Sequence, residues 1–327
     1  MADFEFEDFK PRGFVLESDT TRRGRDTRDG SVYVYDDSLT MAVRVALATG
    51  RPLLLLGSPG SGKSSLAAFV ARSMDWNYFE QVVTSRTQAK DLMWSFDAVR
   101  RLRDAHGGGK GVDLLEAYIE PRVLWWAFDL RDARDRGAKH LPSGSLPRGV
   151  KEHRPRGEIR GDDAMSVVLL DEIDKADPDV PNDLLVALGS QRFWVDELEH
   201  VVEAKRPPLV LITSNNERSL PQAFLRRCVI YVLEEPSKAR LVQIAEAHFP
   251  DSKTTASGTF DKVAEIVDQM KKNVVPIDRE TPPSTAEYLD AVRACIELHV
   301  QPGDNPLWKA IESAVLIKRA SRSSDET

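Results

Sequence analysis

Pro52-Leu53-Leu54-Leu55-Leu56-Gly57-Ser58-Pro59-Gly60-Ser61-Gly62-Lys63-Ser64-Ser65 is the stretch on which the reading of this 327-residue chain turns. Four leucines between Pro52 and Gly57 are too short a run for a helix and read as a fully buried strand. Gly57 to Ser64 then fits G-x-x-x-x-G-K-[ST], and SSLAAFVARSM after it has a helical pattern. Glycines let the loop curl so that successive N–H groups point inward at phosphate oxygens, and the helix adds its positive end. Lys63 is placed to reach the β- and γ-phosphates, and the Ser64 hydroxyl to ligate magnesium. The nucleotide-binding residues read from this stretch are Gly57, Ser58, Pro59, Gly60, Ser61, Gly62, Lys63, Ser64 and Ser65.

A second apolar run, Ser166 to Leu170, ends in Asp171-Glu172. These carboxylates should emerge at the carboxyl end of a buried strand, where open α/β sheets bind their ligands. Asp171 is expected to hold Mg²⁺, directly or through water, and Glu172 to polarise an attacking water. The plain alternative is two solvated carboxylates, with Asp174 and Lys175 as surface charge. A third run, PLVLITS (208–214), leads to Asn215 and Asn216, amides placed to sense the γ-phosphate. Arg226 and Arg227 follow. Adjacent arginines are commonly solvated or ion-paired; the functional reading is an arginine finger offered to a neighbouring subunit.

Further strands are read at NYFEQVV and at CVIYVL (228–233), with helical patterns between most of the five. An α/β unit with a mainly parallel sheet is the economical arrangement. Asp36, Asp37 and Ser38 are N-cap candidates for a short helix closed by Gly50. After Pro236 strand signals stop and four helical stretches follow. The organisation read is a flexible arm (1–30), an α/β nucleotide-binding domain (31–236), a helical lid (237–318) and a disordered tail (319–327).

Of all residues, 41% are hydrophobic and 30% charged, enough for a real core. Leu53 to Leu56 falls far short of the roughly 20 residues of a spanning helix, and MADFEFEDFK lacks a signal-peptide pattern. Cys228 and Cys295 alone make neither a disulfide framework nor a zinc site. A cytoplasmic protein without membrane contact is expected. The net charge of -7 argues against general coating of nucleic acid. Residues 131–160 run against it, with nine Lys/Arg to four Asp/Glu, and read as a long basic loop. His140 and His153 within it lack metal-ligand spacing.

On GSPGSGKSS, TSRTQAKDLMWSFDAVRRLRDA (84–105), LLDEIDKADPDVPNDLL and LITSNNERSLPQAFLRRC, the chain resembles the AAA+ ATPases and, among them, the MoxR group. The similarity runs over most of residues 31–318. It implies a five-stranded parallel sheet ordered 5-1-4-3-2, a helical lid, hydrolysis of ATP with Mg²⁺, and a homo-oligomeric ring, commonly a hexamer. By position Lys63 and Ser64 match Walker A, and Asp171 and Glu172 match Walker B. Asn215 matches sensor 1 with Asn216 as rival, and Arg227 precedes Arg226 as the finger. The resemblance also implies an insert within 88–127, a hairpin at 191–204, and a protein client, often one with a von Willebrand A domain. ATP in place of GTP rests on the resemblance alone.

The sensor 2 position departs from the pattern, reading Pro283-Ser284-Thr285-Ala286-Glu287 without arginine. Arg293, two turns on, is a substitute or a solvated residue. Trp94, Trp125 and Trp126 suit a core better than a gripping or base-stacking role. Trp194 suits a contact role as well as packing. Three functional classes follow: a ring ATPase that remodels a protein, a nucleic-acid-stimulated motor resting on the basic loop alone, and a slow nucleotide-gated scaffold. Nucleic acid is the less favoured partner.

Overall fold

The computed structural model describes residues 30–106, 114–138, 156–273 and 282–317. The arm (but for Gly30), residues 139–155 of the basic loop with His140 and His153, and the tail lie outside the described residues.

The strands are β1 (Leu53–Leu56), β2 (Asn77–Val82), β3 (Trp94–Phe96), β4 (Ile119–Pro121), β5 (Arg156–Glu158), β6 (Ser166–Asp171), β7 (Arg192–Val195), β8 (His200–Glu203), β9 (Leu209–Ser214) and β10 (Val229–Val232). The helices are α1 (Asp37–Thr49), α2 (Lys63–Ser73), α3 (Ala98–His106), α4 (Val123–Phe128), α5 (Leu130–Asp135), α6 (Val180–Ser190), α7 (Gln222–Leu225), α8 (Lys238–His248), α9 (Ser257–Asn273), α10 (Thr285–Glu297) and α11 (Pro306–Ile311).

The main sheet has the order β10-β1-β9-β6-β2-β5. Its inner pairings are parallel, while β5 runs antiparallel to β2. Six strands replace the five-stranded parallel sheet implied by the resemblance. β5 covers an edge of β2 that would otherwise present unpaired backbone groups. Gly157, at φ +152, allows the close approach: a Cβ there would strike Tyr78 O.

The apolar runs are continuous because the sheet is covered on both faces. Leu53, Leu55, Val167, Leu169, Leu209 and Leu211 pack with Leu66, Phe69 and Val70 of α2. Leu54, Val168, Leu170, Val210 and Ile212, one residue out of step, pack with Trp125 of α4 and Leu184 of α6 on the other face. Trp94, Trp125 and Trp126 are buried in that second cluster. Within 88–127, where the resemblance implies an insert, lie the antiparallel pair β3–β4 and helix α3.

Asp36 caps α1, its carboxylate accepting the Leu39 N–H at 2.7 Å, and Gly50 ends the helix at φ +64. Helices α8 to α11 share a separate core that includes Leu241, Phe260, Val263, Tyr288, Val292 and Trp308. In place of one long final helix, α11 stops at Ile311 and a π-helical turn, Glu312–Leu316, follows.

The described arginines of the basic segment are tied within the domain. Arg131 and Arg134 reach Asp162 at 3.1 and 3.0 Å. Arg136 donates to Ile119 O at 2.9 Å, Arg156 pairs with Glu80, and Arg160 meets Glu158 at 2.9 Å. Among the described residues no helix is long and apolar enough to cross a membrane.

Candidate functional site

The loop between β1 and α2 curls because Gly60 (φ +74) and Gly62 (φ +92) occupy left-handed backbone, which costs glycine little. Lys63 opens α2 and is buried; its Nζ donates to Gly57 O and Ser58 O, each at 2.8 Å. Burial lowers the ammonium pKa, while Asp171, Asp174 and Glu172 pull it back up.

Ser64 Oγ donates to Asp171 Oδ1 at 2.8 Å, and Thr213 Oγ1 donates to the same oxygen at 2.6 Å. The three residues come from α2, β6 and β9, and the register of the sheet brings them level. Glu172 follows in left-handed backbone (φ 62), its N–H bonded to Thr213 Oγ1 at 2.9 Å. Its carboxylate accepts from Lys175 Nζ at 2.7 Å and from Asn215 Nδ2 at 3.4 Å. The Lys175 pKa is raised chiefly by that bond to Glu172. Asp174 is buried, with one oxygen accepting the Glu217 N–H at 2.9 Å. The other oxygen has no hydrogen-bond partner.

Lys63, Ser64, Asp171, Glu172 and Asn215 line one cavity of about 1090 Å³, together with Tyr33 and Val34 before α1, Arg240 and His248 of α8, and Thr285 of α10. Arg240 donates to Val34 O at 2.9 Å, joining the helical region to the segment that walls the cavity. A Cβ on Gly60 would meet Ser284 Oγ at 2.5 Å, so α10 begins directly against the loop.

Lys63, Ser64, Ser65, Asp171, Glu172 and Asn215 therefore meet at the cavity, with Pro59, Gly60, Ser61 and Gly62 beside them. Gly57 and Ser58 contribute the carbonyls that hold Lys63. Asn216 is exposed, its N–H turned to Ser214 Oγ at 3.0 Å, and does not line the cavity. Arg226 and Arg227 are exposed and stand apart from it. Arg293 takes no part; its guanidinium lies over the Phe249 ring at 5.9 Å. Where the resemblance implies sensor 2, Ser284 caps α10, its own N–H bonded to Glu287 Oε2 at 2.7 Å.

Sequence reasoning missed Thr213, Lys175 and Arg240. A threonine directly after the apolar LVLI run was the available signal for Thr213. No local pattern marks Arg240, because only the packing of α8 brings it to the cavity.

The donor set suits a magnesium nucleotide. Magnesium takes hard oxygen ligands and usually one or two carboxylates, and here a hydroxyl and a carboxylate lie 2.8 Å apart beside a glycine-shaped loop and a lysine.

No curated protein matches the chain. A solved structure of a Thermotoga maritima RuvB mutant aligns with a TM-score of 0.44 at 14% identity, covering 88% of this chain and 72% of that one. The family model described as AAA domain (dynein-related subfamily) matches residues 52–228, which is more than half of the sequence. On that match the chain belongs to the dynein-related AAA domain subfamily and carries an AAA+ ATPase domain.

Proposed function

We propose that the chain hydrolyses ATP–Mg²⁺ in a ring of like subunits and uses the cycle to remodel a protein partner, as its MoxR-like motifs imply. The observation that carries this reading is the meeting of Lys63, Ser64, Asp171, Glu172 and Asn215 in one cavity, with Thr285 of α10 on its wall. Ser64 and Asp171 would hold the metal, and the loop N–H groups with Lys63 the phosphates. Magnesium held there would supply positive charge against the charge developing on the transferring phosphoryl. Glu172 takes the proton of the attacking water and Asn215 orients it, working from the bond that already joins their side chains.

Arg226 and Arg227 are exposed and outside the cavity, so a finger role requires the site of an adjacent subunit. This supports a ring in which hydrolysis depends on assembly. The client is a protein, with a von Willebrand A-domain partner the first to try. The test is co-purification and ATPase stimulation: a client should raise turnover in the wild type and not in Glu172→Gln. Stimulation by duplex or single-stranded nucleic acid instead would contradict the protein-client reading.

A further inference from the structure

Arg51 precedes β1, at the end of the strand remote from the phosphate loop. Its Nε donates to Arg227 O at 3.1 Å, and its Nη2 donates to Arg226 O. Those carbonyls belong to the turn that closes α7, where Arg227 N–H reaches Phe224 O at 3.0 Å and Cys228 N–H reaches Leu225 O at 3.2 Å. Carbonyls at a helix C-terminus have no partner within the helix and need one from elsewhere. Immediately beyond, Val229 N–H bonds to Pro52 O at 2.8 Å and the β1–β10 ladder begins.

We propose that Arg51 is a positioning residue for the arginine pair: its guanidinium holds the two peptide units from which Arg226 and Arg227 project. This rests on the reading of that pair as a finger acting on a neighbouring subunit. A guanidinium presents its donors in a rigid planar fork, so one side chain fixes the orientation of both peptides. A lysine ammonium is a point charge on a flexible stem and holds them less rigidly. With Pro52 O and the ladder on the following residues, the segment is pinned against the same strand that ends in the phosphate loop. Arg51 does not line the nucleotide cavity and lies six residues from Gly57, roughly 20 Å along an extended chain. Its loss should therefore impair the neighbour's site and spare nucleotide binding in its own.

The experiment uses the full chain with Arg51→Ala, Arg51→Lys, Arg226→Ala, Arg227→Ala and Glu172→Gln. Turnover at saturating ATP should fall about 10- to 100-fold in Arg51→Ala, the scale of a finger displaced by about an ångström. Nucleotide affinity should be unchanged, and Arg51→Lys should fall between. Equal mixtures of Arg51→Ala with Glu172→Gln should recover activity beyond the sum of the two, since Glu172→Gln subunits carry an undisplaced finger. A fold-wide defect would not recover. Wild-type turnover in Arg51→Ala overturns the proposal. So does a mixture without recovery when Arg227→Ala with Glu172→Gln does recover, and the finger reading then stands. Wild-type turnover in Arg227→Ala and in Arg226→Ala removes the finger reading and the role of Arg51 with it.

Discussion

Thr213 Oγ1 donates to Asp171 Oδ1 at 2.6 Å, a side-chain bond between β9 and β6 in the buried centre of the sheet. The same hydroxyl accepts the Glu172 N–H at 2.9 Å, so one oxygen sets the direction of both carboxylate-bearing residues. Thr213→Val keeps the shape and removes both bonds, leaving the part-buried Glu172 N–H without its partner. A loss of about 1–3 kcal/mol is expected from the unsatisfied groups, read as a lower denaturant midpoint. Thr213→Ser, which retains the hydroxyl, should keep most of the stability. Equal midpoints for Val and wild type would show that the bond contributes nothing.

Glu172 is expected to be the base. Glu172→Gln preserves size and the contact with Asn215 but cannot take a proton. Its turnover should drop about 10²- to 10⁴-fold while ATP binding, measured by calorimetry, persists. Near-normal turnover would remove Glu172 from that role.

Trp125 is fully buried beneath the sheet and donates through Nε1 to Asp132 Oδ2 at 2.8 Å. Trp125→Ala should cost about 3–5 kcal/mol of stability, as large-to-small core changes do. A stable variant with altered client or nucleic-acid binding would return Trp125 to a recognition role.

Burial pushes the Cys228 thiol up to about 12 and the Cys295 thiol up to about 11. A thiol raised in the fold stays neutral there while the unfolded chain ionises near the ordinary 9.0. Stability from these two groups is complete below pH 9 and is lost as pH rises through the folded values. Cys228→Ala should flatten the alkaline fall in the unfolding midpoint. Both thiols should also resist alkylation at neutral pH until the protein unfolds, and rapid labelling of the native chain would contradict their burial.

What was legible in the sequence was local. Leu53–Leu56 with the glycine loop, and the runs ending in Asp171 and Ser214, carry a strand and its functional terminus in consecutive residues. The antiparallel strand β5 was hidden in a basic stretch of Pro and Gly, because an edge strand of three residues has no apolar run to announce it. Tyr33, Val34 and Arg240 are far apart in sequence and join the cavity only when α8 packs against the segment before α1. Asn215 and Asn216 are equivalent by residue type; the left-handed turn at Asn216 sends one amide to Glu172 and leaves the other exposed.

If each site is completed by the neighbouring subunit, ATP hydrolysis per subunit should depend on protein concentration. The rate should climb with concentration to a plateau, with Arg227→Ala flat and low throughout. A rate constant from the lowest concentrations upward, and unaltered by Arg227→Ala, would contradict it.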